Sequence, residues 1–189
     1  MVAAAGNRRR GIMVSIESKM PPWRLKFNGI FDFDGLYKVM YNWFNGMSFY
    51  FEEGLYKHKV PTPAGAEQDI EWSGWRKITE YTKYWIRLYI KLYDMKEIIV
   101  IKDGQKKKLT KARLMIEFYP SVELDYQARF SKENRLALQL QDFYHKFIIK
   151  KNIQNIWEDQ IWYYTLKLYT IIKEYMDFEA KGNVFYDMW

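Results

Sequence analysis

The chain predicts an α+β fold: a mostly antiparallel sheet with a helix near its N-terminal end and long C-terminal helices packed on it. Three observations carry this expectation. Residues 81–93 alternate with period two, Leu36 to Met47 recur at helical spacing, and the last third repeats apolar residues at four-three intervals. Short polar connections between the central segments favour antiparallel neighbours, since parallel strands need long crossovers.

The alternating stretch is the most informative. Its even positions are Thr82, Tyr84, Ile86, Leu88, Ile90 and Leu92, and its odd positions are Tyr81, Lys83, Trp85, Arg87, Tyr89, Lys91 and Tyr93. Strand side chains point to opposite faces in turn. One face is therefore mostly aliphatic and suits a core, whereas the other interleaves rings with cations.

The remaining elements follow in order. Residues 1–22 are expected as a basic irregular arm with Arg8, Arg9 and Arg10, closing at Pro21 and Pro22, and residues 23–189 as a single domain. A strand is expected over residues 23–31. Asp32 and Asp34 then stand where a helix N-cap belongs. Leu36, Met40, Trp43 and Met47 draw one helix face, and Gly46 weakens its end. A strand over 49–60 and a loop over 61–65 with two prolines come next.

Residues 70–130 read as a β-rich block. It holds the alternating strand, a strand over 97–102, a turn at Asp103 and Gly104, and strands over 112–119 and 122–130 punctuated by Pro120. Residues 133–150 read as a helix, with a break near Asn152 and Asn155. The final helix carries a seam of Trp157, Ile161, Tyr164, Leu168, Ile171, Tyr175 and Phe178. It carries a second apolar side of Trp162, Leu166, Tyr169, Ile172 and Met176. A helix apolar on two sides is covered on two sides. The sheet can cover one; the other needs a neighbouring segment or another subunit. Trp162, Leu166, Tyr169 and Met176 are the candidate helix interface.

Composition narrows the function. The chain has 189 residues, enough for one domain with a real core. Aromatic residues make up 19%, with 16 Tyr and 8 Trp, which suits interfaces because each joins an apolar body to a polar tip. The formal charge is +7, which permits contact with nucleic acid or an anionic surface. Residues 1–60 carry 9 Lys/Arg against 5 Asp/Glu, residues 61–130 carry 13 against 10, and residues 131–189 carry 8 against 8, so the excess is spread over the first two thirds. Cysteine is absent, which excludes disulfides, thiolate catalysis and Cys-rich zinc sites. No transmembrane helix is expected, and Met1 to Ser15 lacks the apolar run of a signal peptide. A cytoplasmic location is the expectation.

The sharpest local motif is Gly29-Ile-Phe-Asp32-Phe-Asp34-Gly35. It resembles the first motif of the haloacid-dehalogenase-like phosphatases, an apolar strand ending in Asp-x-Asp-Gly-Thr. The resemblance implies Asp32 as nucleophile and Asp34 as general acid with magnesium. Leu36 departs from the family pattern, the later motifs are missing, and the antiparallel block does not fit alternating β and α. Helix capping by Asp32 or Asp34 is the simpler role. His58 and His145 are the only histidines, and neither has a metal-ligand spacing. No phosphate loop or nucleophile elbow is present. No residue is thus nominated as catalytic, cofactor-binding or metal-ligating, and no cofactor is expected.

The basic–aromatic face supplies the binding candidates. Sequence-tolerant single-strand binding stacks bases on rings while cations track phosphates. Tyr81, Trp85 and Tyr89 with Lys83, Arg87 and Lys91 suit that role. Lys106, Lys107 and Lys108, with Arg8, Arg9 and Arg10, would add phosphate contacts. The ordinary alternative is a cross-strand charge ladder, with Glu117, Glu123 and Asp125 opposite the cations and the lysine run on a solvated hairpin tip.

Two wider resemblances complete the picture. Residues 122–126, residues 143–151 and the aromatic final helix look like an uncharacterised family of small proteins from reduced-genome archaea, over roughly residues 23–178. The resemblance implies a lineage and no chemistry. The element order is similar to that of the helix-grip fold, in which a curved sheet wraps the last helix; this implies a cavity for a small apolar ligand. The sequence reading is a non-catalytic basic interaction or assembly protein, self-associating or docking on a larger complex. RNA or single-stranded nucleic-acid binding is the second reading and a ligand carrier the third.

Overall fold

A computed structural model describes residues 16–62, 65–102, 105–127, 139, 143 and 153–179. Arg8, Arg9, Arg10, the turn at Asp103 and Gly104, His145 and most of the helix expected over 133–150 lie outside the described residues. The described elements are β1 (Ile16–Lys19), β2 (Trp23–Phe31), α1 (Phe33–Gly46), β3 (Tyr50–Thr62), β4 (Gly65–Lys77), β5 (Thr82–Lys102), β6 (Gln105–Leu124) and α2 (Asp159–Glu179). A wide π-helical turn, Ile153–Glu158, leads into α2 close to the break expected at Asn152 and Asn155.

All described pairings are antiparallel, and the α+β expectation holds. The strands run β3-β4-β5-β6 as a meander, and β1 and β2 share the row beyond β6. β1 pairs with Ser121–Leu124, while β2 pairs with residues 110–118. The arm expected over residues 1–22 is therefore corrected at its end, because Ile16–Lys19 is a strand of the sheet. Four residues are too few to show a period, and the pairing joins positions about a hundred apart in sequence.

Pro120 explains how β6 runs unbroken where two strands were expected. Its carbonyl accepts from Met20 N at 3.4 Å, so its missing N–H faces the gap between β1 and β2. A proline is tolerated where no ladder donor is required. β5 is likewise one strand, with a bulge after Tyr93 at Asp94, whose φ is +54°. β4 begins earlier than the block expected from residue 70, and β3 extends through Pro61.

The core lies between the sheet and both helices. The even residues of β5 from Thr82 to Leu92 are fully buried, whereas the odd ones from Lys83 to Tyr93 are half-buried. Asp32 caps α1, its Oδ1 accepting from Gly35 N at 2.8 Å. Leu36, Met40, Trp43 and Phe44 form the buried face of α1, which ends at Gly46. Trp72, Tyr84, Phe31, Phe44 and Phe118 are the largest fully buried side chains of this core.

α2 presents one broad face rather than two sides. Ile161, Thr165, Leu168, Ile172 and Met176 form its buried axis. Tyr164, Ile171 and Tyr175 flank it on one side, and Trp162 and Tyr169 on the other. Among the described residues, no helix is long and apolar enough to cross a membrane.

Candidate functional site

The outer face of the sheet carries the alternate residues of β4, β5 and β6. Trp85 lies opposite Trp75 and Ser121, Arg87 opposite Ser73 and Tyr119, Tyr89 opposite Glu71 and Glu117, and Lys91 opposite Asp69 and Met115. Directly opposed residues share a face, so register alone assembles rings and cations from three strands.

One end of this face is closed by its own contacts. Lys83 Nζ stands 3.2 Å from Glu123 Oε2, which also accepts from Trp85 Nε1 at 2.6 Å. The same ammonium lies 5.3 Å from the Trp75 ring centre, 5.1 Å from that of Trp85 and 4.7 Å from that of Tyr126. These are cation–π distances. The Arg87 guanidinium lies 5.0 Å over the Trp85 ring.

The charge ladder expected from sequence is partial. Lys83 meets Glu123, but Glu117 is held by Arg24 of β2 at 2.5 Å and by the Tyr119 hydroxyl at 3.1 Å. Burial and then that hydrogen bond push the Tyr119 hydroxyl up. Asp125 lies past the end of β6 and is buried, its backbone N–H donating to Tyr81 O at 2.8 Å.

A cleft of about 450 Å³ opens beside these contacts, lined by Lys19, Arg87, Tyr89, Lys91, Tyr119 and Ser121 among others. The Tyr89 and Tyr119 rings meet edge-on, 5.2 Å apart and at 81°. A second cleft of about 390 Å³ continues along β6, with Lys26, Tyr93, Arg113 and Met115 in its lining. Lys19, Lys26 and Lys91 make no ion pair among the described residues, whereas Arg113 is paired with Asp94 at 2.6 Å. Asp69 and Glu71 sit on the neighbouring β4 row, and Glu117 of β6 lines the first cleft, where Arg24 pairs with it. Such a surface can stack a flat group and neutralise an anion beside it.

Several expected contacts lie elsewhere. Tyr81 precedes β5 and packs against the core, so it is corrected away from this face; Tyr126 stands over Lys83 instead. Lys106 is exposed on the β5–β6 hairpin. Lys107 reaches Asp32 Oδ2 at 3.2 Å, and Lys108 reaches Glu97 at 2.7 Å, a hydrogen bond that raises the lysine pKa. These two lysines serve carboxylates near the start of α1 and do not line the Tyr89 cleft.

The candidate helix interface is corrected as well. Met176 is in the core, Trp162 packs edge-on against Trp23 at 4.0 Å, and Tyr169 packs against Trp23 and Phe118. Leu166 alone of the four is exposed, at 41%. The sheet and α1 together cover a wider arc of α2 than a single seam requires.

Lys19, Lys26, Trp75 and Tyr119 belong to the outer face and were missed from sequence. Alternation along residues 113–119 would have put Tyr119 on the face of Glu117. Nothing local signals Lys19, whose position depends on the pairing of β1 with β6. No protein-family model matches the chain, and no curated protein matches it.

Proposed function

We propose that the chain is a non-catalytic basic interaction protein whose outer sheet face binds single-stranded nucleic acid. The observation that carries this is the cleft at Tyr89 and Tyr119, ringed by Lys19, Arg87 and Lys91. Rings offer stacking worth about 1–3 kcal/mol per base, with little sequence preference. Lysines without carboxylate partners are ready to replace counterions on phosphates. A cytoplasmic setting goes with this reading.

The assembly reading rested on the aromatic content, the basic arm, the face of Tyr81, Trp85 and Tyr89 and a second apolar side of α2; of these, the helix side is covered within the chain at Met176, Trp162 and Tyr169. Self-association therefore has less support than nucleic-acid binding. The carrier reading needs open space under the helices, and Trp72, Tyr84, Phe44 and Phe118 occupy much of it.

The test is fluorescence anisotropy of a labelled single-stranded RNA with the intact chain and with the Arg87→Ala, Tyr89→Ala double variant, both positions lining the cleft. Binding should weaken about tenfold or more, two ring or phosphate contacts being lost. Equal affinity in a double variant with an unchanged circular dichroism spectrum would remove this face from the account.

A further inference from the structure

Tyr93 forms a second ring site on the outer face, further along β5 from Tyr89. The Arg113 guanidinium lies 5.5 Å from its ring centre, within cation–π distance. Asp94 accepts from Arg113 Nε at 2.6 Å. Successive strand residues point to opposite faces, so Asp94 would ordinarily turn away from Tyr93. The bulge after Tyr93, with Asp94 at φ +54°, re-aims its carboxylate toward Arg113. Nε is thereby committed, while a guanidinium carries four further N–H donors. Ring and guanidinium together make a flat platform in the lining of the second cleft.

Between the two ring sites lies a pair of cations. Lys26 of β2 and Lys91 of β5 both stand opposite Met115 of β6, so the three share the outer face. Their backbones are about 10 Å apart, two strand spacings. Lys26 lines the second cleft and Lys91 the first, which puts this row at the boundary of the two. Neither lysine makes an ion pair among the described residues, although Asp69 stands across from Lys91 on β4. Glu117, on the row before, is held by Arg24 and the Tyr119 hydroxyl. Met115 offers at most a weak acceptor. An anion the size of a phosphate can therefore lie over Met115 with an ammonium on either side.

We propose that the two clefts form one track for an extended single strand, with bases on Tyr89–Tyr119 and on Tyr93–Arg113 and the phosphate backbone between them over Lys26 and Lys91. This rests on the outer-face reading. Tyr89 and Tyr93 are separated by about 13 Å along the strand. Nucleotides of one strand in a duplex recur about every 3.4 Å. Neighbouring bases held at the two ring sites are therefore splayed apart, which a single strand allows and a paired helix does not. Splayed bases stack on aromatic rings and on guanidinium planes alike. A strand that reaches both clefts is a bivalent ligand, so it gains affinity over one that reaches a single cleft.

The experiment is anisotropy titration of the full chain at several salt concentrations, with a labelled single-stranded RNA and with the same RNA annealed to its complement. It is repeated with Tyr93→Ala, Lys26→Ala and, as a control of equal charge change, Lys38→Ala on the exposed side of α1. Tyr93→Ala should weaken binding about tenfold and keep the salt slope, because a stacking contact is lost and no phosphate contact. Lys26→Ala should flatten the slope by about 0.7. Lys38→Ala should leave affinity and slope unchanged, and the duplex should bind roughly tenfold more weakly than the single strand. Lys26 is exposed, so its variant gives a readout even where Tyr93→Ala perturbs the fold. Weakening by the Arg87→Ala, Tyr89→Ala double variant, but not by Tyr93→Ala or Lys26→Ala, would overturn the continuous track and keep the outer-face reading. Duplex binding as tight as that of the single strand would also overturn the track. Unaltered affinity in all of these variants would remove both.

Discussion

Tyr84 shows how one side chain couples the fold to pH. It is fully buried on β5, and its hydroxyl donates to Gln160 Oε1 at 2.9 Å. Burial raises its pKa above the ordinary value of 10.0, so the fold holds the neutral phenol. Tyr37 behaves alike: burial first, then its hydrogen bond to Glu53 at 2.8 Å, push it up to about 12. A raised pKa contributes stability that is complete below the unfolded value and is lost as pH rises through the folded value. The urea midpoint should therefore hold up to about pH 10 and fall between pH 10 and 12. Tyr37→Phe should make that fall shallower; a midpoint level to pH 12 in the parent chain would contradict the assignment. Gly74 makes a packing statement at the same scale. A Cβ there would sit 2.3 Å from Phe44 Cε1, and Phe44 is fully buried. Gly74→Ala should cost about 1–3 kcal/mol in urea denaturation, as overpacking does.

At the scale of elements, α2 gives the clearest contrast between neighbouring positions. Leu168 lies on its buried axis and Leu166 on its exposed side. Leu168→Ala should cost about 2–5 kcal/mol, whereas Leu166→Ala should stay within about 0.5 kcal/mol. Equal costs would mean that the helix is rotated from the described orientation. The same contrast explains what was readable beforehand. The strand at residues 82–93 and the helix after Asp32 announce themselves because local period and burial agree. The two apolar stripes of α2 looked like two interfaces because sequence spacing does not reveal how much of a helix its neighbours cover. β1 and the continuity of β6 through Pro120 were not legible, since both depend on the Met20 gap between two edge segments.

The candidate site has the same history at the scale of the whole molecule. Lys83, Trp85, Arg87, Tyr89 and Lys91 were visible as one strand's odd positions, but the cleft needs Tyr119 of β6 and Lys19 of β1, which only topology brings there. Topology also removes Tyr81, Lys107 and Lys108, whose sequence neighbourhood looked equally basic or aromatic. Lys19, Lys26 and Lys91, which make no ion pair among the described residues, predict binding that salt weakens. For single strands each phosphate contact adds about −0.7 to the slope of log affinity against log salt. Lys19→Ala with Lys91→Ala should therefore flatten that slope by about 1.4. Anisotropy titrations at several salt concentrations measure it, and an unchanged slope would place the phosphates elsewhere.

The most direct test of the central claim is size-exclusion light scattering of protein purified at moderate salt, with absorbance at 260 and 280 nm followed across the peak. The chain should elute with excess 260 nm absorbance that high salt strips away, leaving a single-chain mass. A defined oligomer free of nucleic acid, unchanged by salt, would contradict it and return the protein to the self-association reading.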